Sequence, residues 1–178
     1  HCPKTRIPKD PMLMRLIAAL LLCATALAGC VTTPEEPDLP PFTLDGEGID
    51  PTITRLRIDF GRAQVGVIET VSRLLGSRPA EVTTIAECGN GPMTVARWEG
   101  GLSLNFVDED FRGWVNADPR LPVAGGFSPG MPRVEMPTVS FQVTSLGNEF
   151  NVGPVSGLLD PGETEIQTMW SGATCFFR

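Results

Sequence analysis

Histidine is nearly absent from this chain: its one copy is His1, and both lysines, Lys4 and Lys9, lie close behind it. All three precede Met12 and Met14, either of which can start translation. The expected mature protein therefore has no imidazole and no lysine amine. Without histidine the commonest general base is missing, and zinc and copper sites lose their main nitrogen donor. The five cysteines include no Cys-x-x-Cys pair, and neither a glycine-rich phosphate loop nor a dinucleotide-binding fingerprint occurs. Long apolar runs are lacking too. The one from Leu16 to Leu27 would make about 18 Å of helix at about 1.5 Å per residue, short of a bilayer core of about 30 Å.

What surrounds that run is informative. Arg15 precedes it, small Ala28 and Gly29 follow, and the next residue is Cys30, completing Leu27-Ala28-Gly29-Cys30. A positive start, an apolar centre and small residues before the cut make a secretory signal, and this one resembles a bacterial lipoprotein signal peptide with its lipobox. The resemblance implies that Cys30 is acylated, with palmitate among its chains, and becomes the first residue of the mature protein, which meets the membrane through its lipid. Val31 follows, where sorted lipoproteins retained in the inner membrane would have Asp, so the implied location is the periplasmic side of the outer membrane. The rival reading is an ordinary secretory signal cleaved after Ala28 or Gly29. His1 to Pro11, charged and broken by proline, have no role in export and read as a mis-assigned start, making residues 1–29 a spurious extension plus a signal peptide.

From Cys30 onward ten arginines stand against twenty acidic residues, a formal charge of −10. Nucleic acid and anionic headgroups are recognised by cationic side chains meeting phosphates, so neither is an expected partner of so acidic a chain. The acids begin at once: Val31 to Asp50 holds Pro34, Pro37, Pro40 and Pro41 among Glu35, Glu36, Asp38, Asp45 and Glu47. Such composition buries too little apolar surface to offset ordering, which predicts a disordered tether over residues 30–51 with a reach of about 60 Å. A single domain is expected over residues 52–178.

Within it, Leu56, Ile58 and Phe60 alternate with polar residues and predict a strand, Thr54 to Phe60. Val65, Ile68, Val71, Leu74 and Leu75 recur at helical spacing and predict an amphipathic helix, Ala63 to Leu75, stopped by Gly76. Then the period changes to two. Val82 to Cys88, Met93 to Trp98, Leu102 to Val107 and Phe111 to Asn116 predict a four-stranded antiparallel meander. After a Pro- and Gly-rich connection, Asp118 to Pro137, further strands are predicted at Thr138 to Thr144, Glu149 to Leu159, Glu165 to Trp170 and Thr174 to Phe177, with Asp160-Pro161-Gly162 as a turn. The expected fold class is α+β: one early amphipathic helix packed on an antiparallel β-sheet, with a strand-rich C-terminal half.

The succession of strand, Gly61, amphipathic helix, Leu74-Leu75-Gly76, Pro79 and hairpins with Trp98 and the Gly101 to Phe106 strand resembles the outer-membrane lipoproteins of the SmpA/OmlA type and their β-lactamase-inhibitor-like fold. It covers about Thr52 to Asn116 and lacks the usual Gly-Met after the first strand. The ending Trp170-Ser171-Gly172-Ala173-Thr174-Cys175-Phe176-Phe177 is similar to that of a family of bacterial lipoproteins of unassigned activity, so no catalytic residue is implied by either resemblance.

Candidate sites follow from individual residues. Gly126-Phe127-Ser128-Pro129-Gly130 has the spacing of a hydrolase nucleophile elbow, but the elbow takes an oxyanion donor from the N–H after the serine, and Pro129 has none; a turn is the better account. Asp108-Glu109-Asp110 offers oxygens of the kind calcium binds, or simply a solvated turn. No metal ligand set and no cofactor is expected. Cys88 and Cys175, the remaining cysteines of an exported chain, are predicted to form a disulfide, the rival being two buried thiols. Trp98, Arg112 and Trp114 fall on one side of their strands by alternation and are a candidate protein-binding face, unless the second half of the chain covers them as core. Two functions stay open: a non-enzymatic envelope lipoprotein that binds a protein partner or supports the outer membrane, and an enzyme or enzyme inhibitor acting on a cell-wall or envelope substrate.

Overall fold

The computed structural model describes residues 39–89 and 91–176. Along the chain come β1 (Phe42–Asp45), β2 (Gly48–Pro51), β3 (Ile58–Asp59), α1 (Gln64–Leu75), β4 (Glu81–Ile85), β5 (Met93–Arg97), β6 (Leu102–Val107), β7 (Asp110–Asn116), one turn of 3-10 helix (Arg133–Glu135), β8 (Phe141–Thr144), β9 (Gly147–Val152), β10 (Val155–Leu159) and β11 (Ile166–Gly172). Among the described residues strand accounts for 44% and helix for 11%, so the fold is β-rich and the α+β expectation is corrected. The reason is local. Two segments expected as tether or long strand are hairpins, and among the described residues α1 is a single short α-helix beside eleven strands. None of the described helices is long and apolar enough to cross a membrane.

The predicted meander forms as read, β4 to β7 each pairing with the next antiparallel. The second half forms another, and its last strand, β11, docks on β7 to give one eight-stranded sheet in the order β4-β5-β6-β7-β11-β10-β9-β8. The predicted strand Glu149 to Leu159 is two strands joined at Gly153 and Pro154.

The inner face of this sheet carries Ala96, Leu102, Leu104, Phe106, Trp114, Phe150 and Met169 in one buried cluster. Three things cover it: α1 through Val67 and Val71, the connection after β7 through Leu121, Val123 and Met136, and the small β1-β2-β3 sheet through Phe42, Leu44, Ile49 and Ile58. That small sheet overturns the tether reading for residues 42–51. Phe42, Leu44 and Ile49 are wholly buried, and a tight turn joins them, because the Asp45 carboxylate accepts the N–H groups of Glu47 (2.9 Å) and Gly48 (3.0 Å). Average composition hid a short alternation with a turn residue in the right place. The predicted strand Thr54 to Phe60 shrinks to Ile58–Asp59, with Leu56 exposed.

Helix α1 ends as predicted, Gly76 taking the left-handed conformation (φ 67°) that closes a helix at low steric cost. Its face is rotated from the expectation, however. Val67 and Val71, four apart, are the fully buried pair, while Val65 is 78% exposed.

The outer face has its own small core of Cys88, Met93 and Val95, covered by the C-terminal segment that crosses it. There is no strand at 173–176. Asn105 Nδ2 donates to Ala173 O (2.8 Å), Ala173 N donates to Arg112 O (2.8 Å), and Phe176 stands edge-on to Trp170 at 5.0 Å. A Cβ added to Gly113 would collide with the backbone of Ala173 and Ser171, so glycine there admits the crossing. Cys88 and Cys175 are disulfide-bonded, with Cα atoms 5.2 Å apart.

A candidate docking face around the helix

The face proposed from alternation does not exist as such. Trp98 and Trp114 are 4% and 0% exposed, and each indole N–H is used inside: Trp98 Nε1 donates to Ser77 O (3.0 Å) and Trp114 Nε1 to Asp45 O (2.8 Å). Trp98 is covered as core, and for Trp114 the cause is a bulge. Asn105 pairs with Gly113 and Phe106 with Phe111, leaving Arg112 without a partner across the strand. The extra residue resets the period of two, so Phe111 and Trp114 both point inward while Arg112 turns to solvent and pairs with Asp110 at 2.7 Å.

The other candidates resolve into structure. Ser128 lies in a turn, Met131 N donating to its carbonyl at 3.1 Å. Asp108 and Glu109 take positive φ at the tip of the β6–β7 hairpin, and Glu109 O accepts the N–H of Gln64 at 2.7 Å. Among the described residues no three of His, Cys, Asp and Glu are grouped to hold a metal ion. Cys30 lies outside the described residues.

What alternation missed is a distribution of charge. Of the described arginines, Arg57, Arg97, Arg112, Arg120 and Arg133 each have a carboxylate within 2.7 to 3.2 Å. Arg57 is the most tied, donating twice to Asp45 (2.8 and 3.0 Å) and once to Asp59 (3.1 Å). Burial opposes ionisation of Asp45, but the Arg57 hydrogen bonds and the turn N–H groups outweigh it and hold the carboxyl below its ordinary value; the same Asp45 hydrogen bond raises the Arg57 guanidinium. The four left without a carboxylate partner, Arg55, Arg62, Arg73 and Arg78, all flank α1.

They do so along contiguous grooves. Between segment 54–59 and the helix runs an open groove of about 940 Å³ bordered by Arg55, Leu56, Arg62, Gly66, Thr70 and Arg73. Arg73 also borders a second groove of about 760 Å³ on the far side of α1, with Val65, Ile68 and Arg78. Leu74 leads from the first groove into a cleft of about 1040 Å³ that includes Leu39, Ile53 and Leu75. Leu39 (69%), Ile53 (84%), Leu56 (75%) and Val65 (78%) make up half of the large exposed apolar side chains among the described residues. Free guanidinium groups interleaved with exposed apolar side chains suit a surface bearing phosphate or carboxylate beside hydrocarbon. One sign was legible in advance: Arg62, Gly66, Thr70 and Arg73 recur at helical spacing opposite Val71. Which arginines lack acids was not.

Comparison with protein-family models, with curated proteins and with solved structures finds no match to this chain.

Proposed function

We propose that this protein is a non-enzymatic lipoprotein of the bacterial envelope, anchored through acylated Cys30 on the periplasmic side of the outer membrane, where its β-rich domain binds a protein partner or helps to organise the membrane. The observation that carries the reading is the sequence Leu27-Ala28-Gly29-Cys30 at the end of a short apolar run behind Arg15. The Cys88–Cys175 disulfide supports export, since such bonds persist in oxidising compartments and are rare in the cytosol. The resemblance of residues 52–116 to SmpA/OmlA-type lipoproteins supports the same compartment, and the unpaired arginines and exposed apolar side chains around α1 support a binding role. Metabolic labelling with palmitate tests it. The wild-type protein takes up label and fractionates with outer membrane, whereas Cys30→Ser remains an unprocessed precursor or yields a soluble product. Unchanged attachment and labelling of Cys30→Ser would exclude the anchor.

A further inference from the structure

We propose that the face around α1 lies flat on the phospholipid headgroups of the membrane that holds the anchor, with Arg55, Arg62, Arg73 and Arg78 on lipid phosphates and Ile53, Leu56 and Val65 in the interfacial layer. The proposal rests on the lipoprotein reading above.

Three observations converge on this face. The arginines without carboxylate partners gather there. Half of the large exposed apolar side chains gather there too, at the tip and edges of the same grooves, and a cationic rim around exposed Leu, Ile and Val is the composition of surfaces that lie in a membrane interface. The third concerns chain length. Because residues 42–51 are folded, the segment between Cys30 and Leu39 is only Val31 to Asp38. Eight residues reach at most about 29 Å, less than the diameter of about 37 Å expected for a domain of this size. Leu39 shares its cleft with Ile53, Leu74 and Leu75. The connection is therefore too short for Leu39 to stand on the side of the domain farthest from the lipid surface, and the anchor keeps the domain near that surface at high effective concentration. An acidic protein partner would match the charge equally well, but nothing brings such a partner to this side.

Of the acids that border the two grooves along α1, Asp59 pairs with Arg57 at 3.1 Å and Glu69 stands against the four arginines. Charges on the rest of the domain are screened beyond about 8 Å at physiological ionic strength, whereas arginines at the surface act at contact. Each one near an anionic surface strengthens association roughly fivefold, and three together roughly a hundredfold.

The test is hydrogen exchange of the lipidated full-length protein in vesicles of phosphatidylcholine alone and of phosphatidylcholine mixed with phosphatidylglycerol. Amides of residues 52–57 and α1 are expected to exchange several-fold more slowly in the mixed vesicles, and high salt should abolish the difference. The triple variant Arg55→Gln/Arg62→Gln/Arg73→Gln should lose the slowing while keeping its disulfide; the salt arm gives the same readout on wild-type protein if that variant folds poorly. Equal exchange in both vesicles overturns the proposal, as does slowing that salt leaves unchanged. Slowing seen only in native envelope vesicles overturns it in favour of a protein partner. Palmitate labelling separates the two readings. Labelled Cys30 with unchanged exchange defeats the face and leaves the anchor, whereas an unlabelled protein that still shows slowing in mixed vesicles defeats the anchor and leaves the face.

Discussion

Trp114 joins two parts of the molecule. Its indole fills the space between the main sheet and the β1–β2 turn, and its N–H satisfies the carbonyl of Asp45. Removing it leaves both a void and an unpaired carbonyl, so Trp114→Ala is expected to cost about 3 to 5 kcal/mol, as much as Phe106→Ala. Trp114→Phe keeps most of the volume and should cost about 1 to 3 kcal/mol for the orphaned carbonyl. Urea titration checks both, and a Trp114→Ala midpoint equal to that of wild type would show that the indole is not packed. Asp45, on the other side of the same turn, sets an acid limit with Asp118 and Asp160. Asp118 is held below the ordinary range chiefly by the Arg120 hydrogen bond, and Asp160 by N–H groups led by that of Glu165. A depressed folded-state pKa means that the folded protein favours the ionised carboxylate. This contribution is complete above the unfolded value of 3.8 and is lost as pH falls through the lower folded value. The urea midpoint should therefore hold steady down to about pH 5 and drop below about pH 4. In Asp45→Asn it should be lower at neutral pH and lose less on acidification. A wild-type midpoint that rises below pH 4 would contradict the sign.

At the scale of elements, the disulfide and the crossing tail act as one. The bond closes a separation of 87 residues and holds the tail over Met93 and Val95. In the chain-entropy view a loop of that length stabilises by about 4 to 5 kcal/mol. Cys88→Ser/Cys175→Ser is expected to fold with a stability lower by about that amount, and heat denaturation with and without reductant should reproduce the difference on wild-type protein. A reduced protein as stable as the oxidised one would mean that packing of the tail alone suffices. Strand β6 shows how much of such an element is legible. Leu102, Leu104 and Phe106 alternate with Ser103 and Asn105, and the strand lies where that pattern puts it. Strand β7 shows where legibility stops. Arg112 looks like any polar position in an alternating strand, and only pairing with β6 makes it a bulge.

For the whole molecule, the consequence is a boundary. Folded structure is already present at β1, Phe42–Asp45, ahead of residue 52, with Thr52 donating through N and Oγ1 to the carbonyls of Pro41 (3.1 Å) and Pro40 (2.7 Å). Limited proteolysis of the protein should leave a resistant fragment that starts ahead of Phe42, identified by its N-terminal sequence. A persistent fragment starting at Thr52 would return residues 42–51 to the tether. The two meanders also become one molecule at this scale, because β11 returns to β7 and brings Cys175 to Cys88.

The amino-acid sequence alone determined the period of each element, the turn residues, the stop at Gly76 and the pairing of neighbours in the first meander, because these depend on contacts a few residues apart. It also singled out Cys88 and Cys175 as a disulfide pair, on the expectation that the other cysteines are cleaved off or acylated, and the two are bonded. Tertiary structure decided the rest. Whether Phe42 and Leu44 belong to a tether or a core depends on a sheet that starts only at Glu81, and whether Trp98 faces solvent depends on what the helix and the β1–β2 hairpin cover. Which arginines keep a free charge depends on where the acids fall in space: Arg57 meets Asp45 across twelve residues and Arg133 meets Glu163 across thirty, leaving the unpaired ones beside α1. Charge is conserved along a chain, but its neutralisation is a matter of distance, and distance is set by the fold.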